Sequence, residues 1–193
     1  MKTPPYQLIA TVGSILLVAF VLAAYRFFPG QLPPWTFTLA WVVAALVLLG
    51  TVMELWLMWR DYRAGYLFPM RNASLFILLF SVIGLPAYLV FAGATGRELG
   101  PATLLLVPVF LAFATRNLFR VRIDNLTLQA KTGFRAPVEV PLFQITEVSG
   151  TEDKITVHSE GHRPVQLLRV FFLASHWRAL RDRLGELATT RTP

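Results

Sequence analysis

The stretch FATRNLFRVRIDNLTLQAKTG, residues 113–133, divides the chain into two parts with different sequence patterns. Before it, long apolar runs contain few charged residues. From Val121 onward, apolar and polar residues alternate with a period near two, which is typical of strands that are buried on one face. The sequence therefore predicts a set of apolar helices followed by a small β domain.

The composition indicates a membrane protein. Hydrophobic residues make up 55% of the 193 residues, and several apolar runs approach the length of about 20 residues that a helix needs to cross a bilayer. The net charge is +7, but Lys and Arg exceed Asp and Glu by 8 to 3 in residues 1–120 and by only 10 to 8 in residues 121–193. Because the positive excess accompanies the apolar segments, where it has a topological role, we expect no nucleic-acid partner.

Four apolar segments predict a four-helix transmembrane bundle within residues 1–119. They are residues 7–28, 35–59, 73–93 and 101–119. The last segment is short, and we expect it to reach the interface by continuing through Asn117 and Phe119 while the Arg116 side chain extends to water.

Positive residues between the segments predict the orientation of the bundle. The connection formed by residues 60–72 contains Arg60, Arg63 and Arg71 against a single acid, Asp61, and Arg120 follows the fourth segment. Since Lys and Arg stay on the cytoplasmic side, we expect both termini and this connection to be cytoplasmic. The preference for Arg over Lys and the short connections favour a multi-pass protein of a bacterial inner membrane.

The tail, residues 120–193, predicts a small antiparallel β domain closed by a helix. Six short alternating runs, separated by turn residues, read as six strands. Residues 174–189 read as a helix with one apolar face, formed by Trp177, Leu180, Leu184 and Leu187.

Three parts of the tail carry a pattern: IDNLTLQAKTG, VEVPLFQITEV, and FFLASHWRALRDRL after a hairpin. The acidic turn residue Asp124 precedes the second strand, Gly133 closes the first hairpin, and a hydrophobic-Pro-hydrophobic step at 140–142 leads into Ile145. This pattern resembles the pleckstrin-homology-like (bPH-type) domains that follow transmembrane helices in small bacterial membrane proteins. The resemblance implies a binding or scaffolding module without catalysis. A full pleckstrin-homology barrel has one strand more than the six predicted for the tail.

Polar and kink-forming residues inside the apolar segments are the first candidate sites. Glu54 is the only acid within such a segment. It would mark an ion or proton path, or it would reach water or pair with Arg116 of a neighbouring helix. Pro86 and Pro108 fall at similar depth in two antiparallel segments, where they would kink the helices and open a pocket or hinge, or act as ordinary membrane-helix prolines.

Basic residues at the cytoplasmic side are the second set of candidates. In residues 60–72, arginines alternate with Tyr62, Tyr66 and Phe68, so this connection would hold anionic lipid head groups or the tail domain, or serve only as a topology signal. The full set of predicted lipid- or partner-binding residues is Arg60, Arg63, Arg71, Arg116, Arg120, Arg178 and Arg181.

The sequence contains no pattern that indicates an enzyme. His158, His162 and His176 lack the additional ligands of a metal site, and the chain has no cysteine. Nucleophile-elbow, HExxH and phosphate-loop motifs are absent. We therefore expect no cofactor, no metal and no catalysis.

Three functional hypotheses follow. The first is a non-enzymatic integral membrane protein whose helices anchor a cytoplasmic pleckstrin-homology-like module for a protein partner or anionic lipid head groups. The second is a ligand-gated pore or membrane-disrupting effector with a β-rich sensor. The third is a small transporter, or an accessory subunit of a membrane complex. Each implies association with the lipid bilayer and with a protein partner or further copies of the chain.

Overall fold

The computed structural model describes residues 4–28, 31–71, 73–94, 101–132, 136–161 and 163–189. The chain divides into two compact units, each built from two separate segments. Met1–Trp59 and Phe76–Arg116 form the helical unit, and Arg60–Leu75 and Asn117–Pro193 form the β unit. Residues 60–75, which the sequence placed with the transmembrane helices, therefore belong to the same unit as the tail.

Apolar helices account for each of the four predicted segments. They are α1, Pro5–Leu22; α2, Pro34–Arg63; α3, Ala73–Leu79; α4, Leu85–Ala94; and α5, Pro101–Arg116. A π-helical turn, Ala23–Phe27, extends α1, and a second, Phe80–Gly84, joins α3 to α4.

The helices differ in their ability to cross a membrane. Among the described residues, α1 and α2 are long and apolar enough to do so, and the remaining apolar helical stretches, Leu75–Phe91 and Leu104–Arg116, are shorter. By length and composition, two of the four predicted spans thus have a membrane-crossing helix. The predicted continuation of the fourth span through Asn117 and Phe119 is wrong, because α5 ends at Arg116 and the chain enters a strand at Arg120.

Small residues allow α1 and α2 to pack closely. A Cβ atom at Gly13 would clash with the Val47 side chain, and one at Gly50 would lie 2.9 Å from the carbonyl oxygen of Tyr6. Close backbone approach of this kind gives apolar helices their packing energy where water does not drive association. The buried core beside this contact consists of Leu17, Ala40, Ala44, Val47, Leu105 and Ala112.

The β unit contains two antiparallel sheets and a C-terminal helix in the part of the chain that the structure describes. The strands are β1, Leu67–Pro69; β2, Arg120–Ile123; β3, Thr127–Lys131; β4, Val138–Pro141; β5, Ile145–Gly150; β6, Lys154–Ser159; and β7, Val165–Leu168. Strands β1–β4 form one sheet in that order, and β5–β7 form the other. The helix α6 spans Ala174–Thr189.

Strand β1 is the main departure from the sequence-based prediction, in which residues 60–72 form a connecting loop. Helix α2 continues to Arg63, and Gly65 turns the chain at a φ of 75°, a left-handed conformation that glycine adopts without strain. Leu67–Pro69 then pairs with β2, with Leu67 opposite Arg122 and Pro69 opposite Arg120. The six strands predicted for the tail correspond to β2–β7, and the seventh comes from the segment between α2 and α3.

The core of the β unit collects alternate residues of both sheets and one face of α6. The fully buried side chains include Val121, Leu128, Val140, Val157, Leu167 and Leu180. Phe68 and Met70 from the β1 segment belong to the same core. Trp177 of α6 is buried, and its indole Nε1–H donates a hydrogen bond to the Glu152 carbonyl at 2.9 Å, which fixes the helix to the β5–β6 turn. The predicted turn residue Gly133 lies outside the described residues.

Candidate functional site

Within the helical unit, the structure brings Glu54 and Arg116 together. Glu54 is buried on α2, and Arg116 is the last residue of α5. The Arg116 Nε lies 3.9 Å from the Glu54 Oε2, and the Gln7 side chain donates to the other carboxylate oxygen at 3.3 Å. Arg116 also donates to the Thr11 hydroxyl and to the Gln7 carbonyl on α1. The cluster therefore links three helices, and the carboxylate is neutralised by an adjacent cation.

The two prolines occupy different environments in the same unit. Pro86 is the second residue of α4 and directly follows the π-helical turn Phe80–Gly84. A proline lacks the N–H of the helical ladder, and a π turn is a usual way in which a helix absorbs that loss. Pro108 lies inside α5 and is buried. The π turn packs against α5.

At the end of α2, a buried carboxylate holds the start of the β unit. The Asp61 carboxylate forms ion pairs with the guanidinium groups of Arg122 in β2, at 3.2 Å, and of Arg60, at 3.5 Å. Tyr62 and His176 share a hydrogen bond of 3.1 Å between the hydroxyl and Nε2. Arg60 and Arg63 lie in the last turn of α2, where positive side chains interact favourably with the negative end of the helix dipole.

The strand register places Arg71 and Arg120 at one end of the β1–β4 sheet. Arg120 is opposite Pro69 on one side and Lys131 on the other. The Met70 N–H donates to the Phe119 carbonyl at 3.0 Å, and the Arg71 N–H donates to the Phe171 carbonyl. We call this the basic end of the β unit, comprising Arg71, Arg120, Lys131 and the β7–α6 connection at 169–173.

A cavity of about 520 Å³ opens at the basic end. Its lining consists of Arg71, Asp153, Leu168, Arg169, Val170, Phe172 and Ala174. Arg169 forms an ion pair with Asp153 at 3.4 Å, and both side chains are exposed. No carboxylate among the described residues pairs with Arg71. Among the described residues, Arg71 therefore has no acidic partner, and the ion pair of Arg169 with Asp153 is exposed to solvent.

Beside the cavity, apolar side chains point into solvent. The 3₁₀ turn Arg169–Phe171 directs Val170 outward, with 73% of its surface exposed, whereas Phe172 is 4% exposed and belongs to the core. Phe171 and Leu173 are also exposed. The sequence-based predictions missed this surface, because residues 169–173 fall between the last predicted strand and the helix predicted for residues 174–189. The signal that could have found it is an apolar run too long for a four-residue strand and followed directly by a helix.

The predicted arginines of α6 do not line this cavity. Arg181 lines a separate recess of about 150 Å³ that also involves Val148, Ile155 and Leu184. Arg178 is exposed on the helix surface. The seven arginines predicted as one binding set thus lie apart. Arg116 belongs to the helical unit and the other six to the β unit, where Arg60 and Arg63 lie at the end of α2. Of the seven, Arg71 alone is in the lining of the cavity at the basic end.

The opposite end of the sheet is closed by Asp124 in the β2–β3 turn. Its carboxylate accepts hydrogen bonds from the backbone N–H groups of Leu126 at 2.9 Å and Thr127 at 2.7 Å, and from the Thr127 hydroxyl. Burial raises the pKa of Asp124, but these hydrogen bonds and the nearby Arg122 outweigh burial and hold it below its ordinary value. Asp124, the acidic turn residue noted in the sequence, therefore stabilises the conformation of the β2–β3 turn.

Among the described residues, no group of three His, Asp or Glu side chains is placed to hold a metal ion. His158 lies in β6, His176 contacts Tyr62, and His162 lies outside the described residues. In comparisons with known proteins, no family model, no curated protein and no solved structure matches the chain.

Proposed function

We propose that this protein is a non-enzymatic integral membrane protein in which four apolar helical segments anchor a cytoplasmic pleckstrin-homology-like module that binds a protein partner or anionic lipid head groups. The observation that carries the proposal is strand β1. The module takes its first strand from the segment between α2 and α3 and the other six from the tail. The chain therefore passes between the helical unit and the β unit more than once.

The pairing of β1 with β2 also supports four spans. Met70 and Phe119 are hydrogen-bonded neighbours, so both must lie on the same side of any membrane that the chain crosses. An even number of crossings then separates them. We infer that the helical stretch Ala73–Ala94 and helix α5 are two such crossings. Together with α1 and α2 they make four, with residues 60–72 and the tail on one side.

The distribution of charge and of apolar surface agrees with this arrangement. Large apolar side chains are exposed along the helices, including Ile15, Leu49, Ile83 and Val90, and a bilayer would cover them. The exposed Trp35 lies near the start of α2 and Trp56 and Trp59 near its end, which is where interfacial anchors are found. Arg60 and Arg63 lie in the last turn of α2 and Arg71 follows the helix, on the side that we assign to the cytoplasm.

The strand order supports the likeness to a pleckstrin-homology domain. A sheet of four strands, a sheet of three and a closing helix follow one another in the β unit. The tail alone has one strand fewer than a full pleckstrin-homology barrel, and β1 supplies that strand. Its surface offers arginines and exposed apolar side chains at the basic end, a chemistry suited to docking.

The topology can be tested with single cysteines, because the natural chain has none. Gln31, between α1 and α2, and Asn125, in the β2–β3 turn, are both exposed. In intact bacterial cells, a membrane-impermeant maleimide should label Gln31→Cys directly and Asn125→Cys only after the inner membrane is permeabilised. Labelling of Asn125→Cys in intact cells would remove the cytoplasmic module from the proposal.

Binding is tested by purifying the full chain in nanodiscs formed directly from native membranes. Mass spectrometry should then find a protein or an anionic lipid in stoichiometric amount. A matched chain with Arg71→Gln and Arg169→Gln should recover less of it, whereas Arg178→Gln, which lies outside the cavity lining, should not. If none of these substitutions changed the amount of protein or lipid recovered, binding at the basic end would be contradicted.

A further inference from the structure

We propose that the cavity at the basic end binds the phosphate of an anionic phospholipid head group through Arg71 and Arg169, while Val170 and Phe171 enter the interfacial layer of the bilayer. This inference rests on the proposed function and names the ligand of the same module.

The position of the cavity along the chain supports a lipid ligand. Arg71 stands two residues before the start of α3, and β2 begins four residues after the end of α5. If these helices cross the bilayer, the length of an extended chain keeps both points within roughly 15 Å of the interface, at about 3.5 Å per residue. Arg71 and Arg120 therefore lie at the end of the β unit from which the chain enters the membrane.

The charges at the basic end suit a phosphate. Arg71, Arg120 and Lys131 gather there by register, with Arg169 beside the cavity. Asp153 is the acid in the cavity lining, and its ion pair with Arg169 is exposed to water, which weakens it. A guanidinium binds phosphate oxygens through two parallel N–H donors, so the two arginines of the lining can hold one head group from two sides.

The apolar side chains beside the arginines favour a bilayer over a soluble anion. Val170 and Phe171 belong to the same 3₁₀ turn as Arg169, so the turn presents a cation and apolar surface in adjacent positions. Isolated phosphate would use only the cation. An anionic membrane surface satisfies both, because basic residues meet the head groups while apolar side chains enter the region below them.

The opposite end of the sheet provides a matched comparison. Leu126 and Phe143 are exposed to a similar extent as Val170, at 75%, 77% and 73%. The Leu126 N–H donates to the Asp124 carboxylate, and the Leu126 carbonyl accepts a hydrogen bond from the Leu142 N–H, next to Phe143 in the chain. Register places this end away from Arg120, because Thr127 and Pro141 pair at one end of their strands and Arg120 and Lys131 at the other. An apolar side chain at this end should remain in water.

The test uses full-length chains with one cysteine, Val170→Cys or Phe143→Cys, labelled with the environment-sensitive dye NBD. Each is reconstituted into nanodiscs of pure phosphatidylcholine or of phosphatidylcholine with 30% phosphatidylglycerol, a composition chosen for roughly physiological surface charge. Doxyl-labelled lipid reports burial in the bilayer, and aqueous iodide reports exposure to water.

We expect doxyl quenching at position 170 to be at least about twofold greater in phosphatidylglycerol nanodiscs than in phosphatidylcholine, and iodide quenching to fall correspondingly. Position 143 should show no dependence on lipid. In a chain that also carries Arg71→Gln and Arg169→Gln, position 170 should behave in both lipids as it does in phosphatidylcholine. Unchanged hydrogen exchange of the β2 and β3 amides will confirm that these variants are folded.

Three results would overturn the inference. One is iodide access at position 170 equal to that at position 143 in both lipids. Another is strong protection of position 170 from iodide in detergent as well as in both lipids, which indicates a covering protein or second copy. The last is lipid dependence that survives both arginine substitutions. In each case the proposed function stands if a partner still co-purifies with the chain. The proposed function has its own test: it fails if alkaline carbonate extracts the chain from membranes.

Discussion

Replacing Phe68 by Ala tests whether the segment between α2 and α3 is a structural strand of the β unit. Phe68 is 5% exposed and packs in the core with residues of both sheets and α6. Removing a buried phenylalanine to alanine costs about 3–5 kcal/mol, through lost burial and the cavity left behind. At about 1.4 kcal/mol for each factor of ten, the unfolding equilibrium of the β unit should rise on the order of 100- to 4,000-fold.

The measurement is amide hydrogen exchange by mass spectrometry on the full chain in nanodiscs, followed in peptides from β2 and β3. Where exchange requires opening of the whole unit, the rate rises by the same factor as the unfolding equilibrium. Phe143→Ala is the matched control, because this ring is 77% exposed in the same unit and its loss should cost less than about 0.5 kcal/mol. Phe68→Leu, which keeps an apolar side chain, should fall between the two.

A connecting loop without a structural role would give the opposite pattern. If the β2 and β3 amides exchanged at the same rate in Phe68→Ala as in Phe143→Ala, Leu67–Pro69 would not be a strand that stabilises the unit. The pairing of β1 with β2 would then no longer support four spans.

Three other predictions follow from the structure. A chain that begins at Arg60 and has a two-residue Asn-Gly turn from Met70 to Phe119, in place of α3–α5, should give a soluble and cooperatively unfolding β unit. The tail without β1 should aggregate through the open edge of β2, and size-exclusion chromatography compares the two. A double-mutant cycle with Glu54→Gln and Arg116→Gln should give a coupling energy of roughly 0.5–2 kcal/mol in thermal unfolding in detergent, and zero coupling would refute the pair. Because the pKa of Asp124 is depressed in the folded state, its stabilisation should be present above pH about 4 and be lost as the pH falls through the folded pKa, so Asp124→Asn should flatten the acid limb of β-unit stability measured by hydrogen exchange.

The sequence was informative wherever structure depends on local pattern. The apolar runs place α1 to α5 because hydrophobicity alone specifies such helices. Period-two alternation places β2–β7, and the face formed by Trp177, Leu180 and Leu184 is the buried face of α6. The pairing of Glu54 with Arg116, one of the alternatives weighed from sequence, is present in the structure, and charge balance explains it, since a buried acid next to an apolar helix end attracts the nearest cation.

The features that escaped the sequence are those that depend on distant segments. The strand Leu67–Pro69 is too short to show an alternating pattern of apolar and polar residues. Its partner strand, β2, begins far along the chain at Arg120. The pattern of residues 60–72 therefore looked like a loop with charges. The cavity has the same origin, because Arg71 and Arg169 become neighbours only through the pairing of β1 and the position of the β7–α6 connection. No local rule reveals such a site.

The division of one sheet between two parts of the chain also orders events during synthesis. The ribosome releases β1 before α3–α5 and delivers β2 only after them. If α3–α5 cross the membrane as proposed, β1 stays unpaired until these helices have inserted. An insertion error that left α5 on the wrong side would strand β2 across the bilayer from its neighbour, and the β unit could not close. An incomplete β unit exposes an open strand edge, which quality-control proteases and chaperones recognise as unfolded. In the proposed four-span arrangement, the sheet would therefore close only in chains whose helices had inserted with the correct topology.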